Sequence, residues 1–135
     1  MRNKDLANDY VKRAVIRLKA LETLFNEKGY ADVVRESQEV VELSLKALLR
    51  AHDIAIPRLH DVSSIIEESR ESFTLLTDAK IELICEISRS LRRDRELSFY
   101  GTEDLTPSEF YRKQDAVKAK SQAKEVVEIV KNSIN

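Results

Sequence analysis

Residues 88–101 read SRSLRRDRELSFYG and place four arginines, Arg89, Arg92, Arg93 and Arg95, within seven positions. Guanidinium is the side chain best matched to phosphate. Its planar fork donates two parallel hydrogen bonds, and it stays charged at any working pH. Phe99 and Tyr100 follow at once and offer flat faces on which a base can stack. In a continuous helix Arg89, Arg93 and Glu96 share a face, Tyr100 falls just above them, and Arg92 and Arg95 flank it. Cations near a helix C-terminus gain about 0.3–1 kcal/mol from the macrodipole. Four arginines exceed what that role requires. The chemistry on offer is anion binding, with Arg89, Arg92, Arg93 and Tyr100 as candidate phosphate contacts; the alternative is a basic face that is merely solvated.

Other chemistries are poorly supplied. The chain has two histidines, His52 and His60, and one cysteine, Cys85. That is too few for an ordinary zinc ligand set, so no metal and no cofactor is expected. A lone cysteine excludes an intramolecular disulfide framework and reads as a small buried hydrophobe. His60 and Asp61 could belong to a Ser-His-Asp triad, but no nucleophile-elbow glycines accompany any serine, and there is no Gly-rich phosphate loop. The simpler reading of this pair is a helix start, with Asp61 as N-cap and His60 in the loop before it. Arg35, Glu39, Glu42, Lys46 and Arg50 follow one another at i+4 and i+3. Such a line reads as a solvated face, each opposite-charge pair worth about 0.2–0.5 kcal/mol to its helix. The alternative is a groove across from another helix, with Glu42, Lys46, His60 and Asp61 as its candidate residues.

The elements that must position these residues are helices. The chain has 135 residues, 42% hydrophobic and 35% charged, with two glycines and two prolines. Few breakers and many helix-forming residues predict an all-α chain, and the length suits a single domain over 1–135. The formal net charge of −1 argues against a non-specific nucleic-acid coat, so any anion site is local. Leu6, Tyr10, Ala14, Leu18, Leu21 and Phe25 mark a first amphipathic helix ending at Gly29. A second runs from about Tyr30 to His52 on Val34, Val41, Leu45 and Leu48. Pro57 breaks the pattern, and a shorter helix follows Asp61 through Ile65, Ile66 and Ser69. Residues 70–76 read as a connection. Thr77 or Asp78 caps the next helix, which carries Ile81, Ile84, Ile87 and Leu91 into the arginines and stops between Leu97 and Gly101. In TPSE, residues 106–109, Thr106, Pro107 and Glu109 form a capping-box start to a last helix with Phe110, Val117, Ala123, Val127, Val130 and Ile134. The expected architecture is an up-down four-helix bundle with one additional short helix. No apolar run reaches the length of a membrane span, and the N-terminus lacks a signal-peptide core. The expected address is cytoplasmic.

Residues 37–66, SQEVVELSLKALLRAHDIAIPRLHDVSSII, resemble the HEPN domain. Gln38, Glu42, Lys46, Ala47, Leu48 and Leu49 match that family's second-helix pattern. His60 and Asp61 match its His-Asp-Leu start, with Val62 in the leucine place. The resemblance covers most of the chain and implies a five-helix bundle related to the substrate-binding subunits of nucleotidyltransferases. The family includes nucleotide-binding modules, partners of minimal nucleotidyltransferases, and metal-independent RNases of toxin–antitoxin systems. The RNases typically act as homodimers that share a cleft lined by an Arg, four to six residues, His motif. Several read Arg, four residues, His, one residue, Tyr. Laid on this chain, Arg93 takes the arginine place, Ser98 the histidine place and Tyr100 the tyrosine place.

The histidine is missing, and none follows His60. Cleavage through a 2′-hydroxyl needs a group that titrates near neutrality to accept a proton, and serine does not. The resemblance thus implies a scaffold that keeps an anion-binding arginine without the RNase histidine. The expected function is a binding module for a nucleotide or RNA phosphate at Arg89, Arg92, Arg93, Ser98 and Tyr100. It would itself be non-catalytic, form a homodimer and act beside a minimal nucleotidyltransferase-like protein. The alternatives are an RNase using Arg93 with an unusual base such as His60 across a dimer, and a plain protein-interaction bundle.

Overall fold

The structure, a computed structural model, describes residues 2–56, 58, 61–100 and 105–134, and of residues 2 and 95–100 the backbone alone. Its helices are α1 (Arg2–Asn26), α2 (Tyr30–Ala51), α3 (Val62–Glu68), α4 (Asp78–Tyr100), α5 (Pro107–Phe110) and α6 (Lys113–Ser133), with a 3-10 turn at Arg70–Ser72 between α3 and α4. Four long helices thus form the bundle, as the apolar periodicity predicts. No strand occurs among the described residues.

Helix α2 lies at the centre, packed on α1, α4, α6 and α3. Its buried side is correspondingly wide. Val33, Val34, Val40, Val41, Leu45, Leu48 and Leu49 are all within the core, because a helix with neighbours on several sides must be apolar over more than one stripe. Asn3 at the start of α1 donates to the Asp53 carboxylate at 2.9 Å and accepts from Arg50 at 3.3 Å, so α1 and α2 run antiparallel. Val34 early in α2 shares one small cavity with Leu91 and Asp94 late in α4, while His52 at the end of α2 meets Phe73 just before α4, so α2 and α4 run antiparallel. Lys113 and Lys120 of α6 meet Phe25 and Glu22 of α1, so α6 runs antiparallel to α1. The long helices therefore alternate in direction, and α3 packs across α4.

The turns follow local rules, with one change from the sequence reading. Gly29 is not the residue that ends α1 in the left-handed region. Lys28 takes that place (φ 63), and Gly29 is the N-cap of α2. Gly29 N–H donates to Leu24 O at 2.8 Å and Lys28 N–H to Phe25 O at 2.9 Å, a Schellman closure. A Cβ at Gly29 would stand 3.3 Å from the Leu24 carbonyl oxygen, so a larger residue there needs that carbonyl to give by a few tenths of an ångström. Asp53 (φ 56) closes α2 in the same way.

The second change concerns the last helix. Thr106 and Glu109 do form the capping box, but the helix they start is the single turn α5. The chain then extends through Tyr111 and Arg112 and restarts at Lys113. Tyr111 drives the break. Its ring is buried and its hydroxyl donates to the Asp94 backbone carbonyl at 3.2 Å. The Asp115 carboxylate then accepts from Arg112 N–H at 2.8 Å and opens α6. The register shifts accordingly. Ala116, Ala119, Ala123, Val126, Val127 and Val130 face the core, while Phe110 and Val117 are 42% and 46% exposed.

Candidate functional site

Helix α4 is amphipathic in a way that separates packing from chemistry. Ile81, Ile84, Cys85, Ile87 and Leu91 are buried. Arg89, Arg92 and Arg93 stand at i, i+3 and i+4 and so share one arc on the other side. Helix α3 lies beside that arc. Its N-cap is Asp61, whose side chain accepts from Ser63 N–H at 3.1 Å and from the Ser63 hydroxyl at 2.7 Å. Cys85 lies fully buried beneath them. Burial pushes its thiol up to about 12.

Between α3 and α4 the surface opens into a shallow cleft of about 300 Å³, lined by Asp61, Arg89, Arg92 and Arg93. Arg89 donates to the Glu67 carboxylate at 2.7 Å, and that hydrogen bond holds its guanidinium still more firmly in the charged form. Arg92 reaches Asp61 at 3.4 Å, a long contact on a half-exposed side chain. Arg93 makes no ion pair among the described residues. Three guanidinium groups thus meet two carboxylates in direct contact, with Asp94 acting on Arg93 from the neighbouring cavity. The arginines also stand away from the helix end. Helix α4 continues to Tyr100 and has no basic residue in its last turn, and the macrodipole acts within that turn. The dipole therefore does not account for Arg89, Arg92 and Arg93.

Of the residues singled out in the sequence, the cleft unites Arg89, Arg92, Arg93 and Asp61. It does not include Glu42 or Lys46. Those two line a separate depression at the α1–α2 seam, with Arg13, Arg17 and Glu39. The line through residues 35–50 is accordingly half-buried against α1 rather than a fully solvated face. Ser98 and Tyr100 continue α4 two turns beyond the cleft, with Tyr100 seven residues from Arg93 and so in nearly the same register. Their side chains, and those of Arg95 and Phe99, lie outside the described residues, as does His60. Among the described residues no group of three or more His, Cys, Asp or Glu could hold a metal ion, and no helix is long and apolar enough to cross a membrane.

Two features escape a reading of the sequence. Glu67, the partner of Arg89, is 22 residues away, and only the packing of α3 on α4 joins them. The other is a cavity of about 140 Å³ between α4, α5 and α6, lined by Asp94, Tyr111, Asp115, Lys118 and Gln122 among others. Burial raises the Asp94 pKa. Arg93 beside it works the other way, and Asp115 adds to the rise. Burial, then the two carboxylates, raise Tyr111 as well.

Chemically, the cleft can hold an oxyanion by charge and by forked hydrogen bonds. Among the described residues its carboxylates are already engaged, Glu67 with Arg89 and Asp61 with Ser63 and Arg92. Asp61 is committed to capping α3, and arginine does not titrate in the working range.

No curated protein is significantly similar to this sequence. The family model for the HEPN domain, by contrast, matches residues 7–133. That span takes in most of α1 and all of the other helices, the Asp61 cap and the three arginines of the cleft, and the chain belongs to the HEPN domain family.

Proposed function

We propose that this HEPN domain binds the phosphate of a nucleotide or of RNA in the cleft between α3 and α4 and does not itself cleave it. The observation that carries the reading is the convergence of Arg89, Arg92 and Arg93 on one open cleft, with Arg93 in no direct ion pair among the described residues and interacting only at a distance with Asp94. Arg93 is the principal ligand. Arg89 and Arg92, tethered to Glu67 and Asp61, supply field and secondary contacts. Ser98 and Tyr100, further along α4, extend the site toward a sugar or a base. The absence of a histidine at position 98 is what separates binding from turnover. Family resemblance supports action beside a minimal nucleotidyltransferase-like protein in a toxin–antitoxin-like system, in the cytoplasm and as a homodimer.

The test is metal-free incubation of the protein with end-labelled single-stranded RNA, beside Arg93→Ala. The binding reading expects intact RNA that is retained by the native chain and released by the variant. Cleavage by the native chain that is lost in Arg93→Ala would replace it with the RNase reading, and His60 would become the residue to substitute next. No retention and no cleavage would leave the protein-interaction reading.

A further inference from the structure

A second depression runs along the seam of α1 and α6. It encloses about 430 Å³, and its lining includes Leu18, Lys19, Glu22, Val117, Lys120 and Lys124. Its floor is apolar. Leu18 packs on the core from one side, and Val117 lies 46% exposed on the other. Val117 is unusual on α6, whose remaining exposed positions are almost all charged or polar. The rim is basic. Lys120 is tied down by Glu22 at 2.7 Å and by the Phe25 ring, 4.4 Å from its ammonium. That pairing uses the one carboxylate of the groove. Lys19 and Lys124 make no ion pair among the described residues, and the groove is left with two uncompensated cations.

We propose that this groove docks an acidic amphipathic helix of a partner protein. A helix would lay apolar side chains at i, i+3 and i+4 onto Leu18 and Val117, with glutamates or aspartates on its flanks meeting Lys19 and Lys124. The stretch of α6 from Val117 to Lys124 is about 10 Å long, which suits two turns of such a helix. The apolar floor argues for a protein segment over a nucleic-acid backbone, which would leave Val117 uncovered. The rim is lysine throughout, point charges without the forked geometry that selects phosphate. The inference does not rest on the arginine cleft, which uses none of these residues.

The probe is a fluorescein-labelled synthetic helix of about 18 residues, long enough to fold on its own, with leucines at i, i+3, i+4 and i+7 and glutamates flanking them. A second probe carries lysines in place of the glutamates. Fluorescence anisotropy against the full chain is read for the native protein, Val117→Glu and the Lys19→Glu/Lys124→Glu pair, with circular dichroism to show that each remains folded. The expected result is saturable binding of the acidic helix, weakened about tenfold or more by either variant, and no binding of the lysine-flanked helix. Equal binding of both probes, indifference to both variants, or no binding at all would overturn the proposal. So would sedimentation showing a self-association that Val117→Glu abolishes, because the occupant would then be a second copy of this chain.

Discussion

At the scale of single residues, the cleft is a competition between internal and external anions. Glu67 and Asp61 already hold two of the three guanidinium groups, and both contacts are partly exposed. Exposed ion pairs contribute little stability, about 0–1 kcal/mol, so releasing one costs the fold little and frees a cation. Glu67→Gln is therefore expected to leave the melting temperature nearly unchanged and to raise affinity for a nucleotide or RNA, as read by anisotropy titration. Unchanged affinity would mean that Arg89 takes no part in binding. Asp61→Ala separates the two roles of that carboxylate. It removes the cap of α3, a loss of about 1 kcal/mol in urea denaturation, while affinity rises because Arg92 is released. Asp94 supplies a pH signature. Its raised pKa, caused chiefly by burial, means that the ionised form is disfavoured in the fold. Stability should fall as pH rises from the unfolded carboxylate value, about 3.9, through the raised folded value, and stay lower above it. Asp94→Asn should then gain more in melting temperature at pH 7 than at pH 4. An equal gain at both would show that the carboxylate's charge is not the cause.

At the scale of elements, the sequence was legible where a local rule settles the answer. Thr77 caps α4, accepting from Lys80 N–H at 3.2 Å, and Asp61 caps α3, each as its residue type and position suggest. The start at Thr106 was equally plain, but the length of the helix it begins was not. That depends on Tyr111 finding the Asp94 carbonyl, a contact between distant positions that no local pattern carries. The same limit hid the pairing of Arg89 with Glu67 and set Val117 in the core stripe when it is half-exposed. The arginine cluster stood out from residue type alone, whereas its association with Asp61 rather than with Glu42 and Lys46 required the packing of α3 on α4. The alanines of α6 make a further prediction. Ala123 is fully buried on the helix that packs against α2. Ala123→Leu is expected to cost about 1–3 kcal/mol by overpacking, seen as a lower urea midpoint. A neutral result would mean that the α2–α6 contact is loose.

At the scale of the whole molecule, the bundle carries nearly balanced charge, −1 in total, yet sorts it locally. Basic residues collect in the cleft between α3 and α4 and in the seam between α1 and α6, on different helices, so the two proposed sites share no residue. Because the net charge supplies no general attraction to nucleic acid, binding should depend on a few contacts, and its salt dependence should be shallow. For single-stranded RNA, a log–log slope of about 0.7 per phosphate neutralised gives roughly 0.7 to 2 for one to three arginine contacts. A much steeper slope would point to a diffuse surface instead. If Arg93 holds phosphate as proposed, it does so by position and not merely by charge. The most direct measurement is the affinity of fluorescein-labelled single-stranded RNA, without metal, for the native chain, Arg93→Ala and Arg112→Ala. The two variants lose the same charge, and Arg112 lies on α6's N-terminal boundary, outside the cleft. The account predicts a loss of about tenfold or more for Arg93→Ala, the worth of a charge-assisted hydrogen bond, with Arg112→Ala close to native. Equal losses in both variants, or none in either, would contradict it.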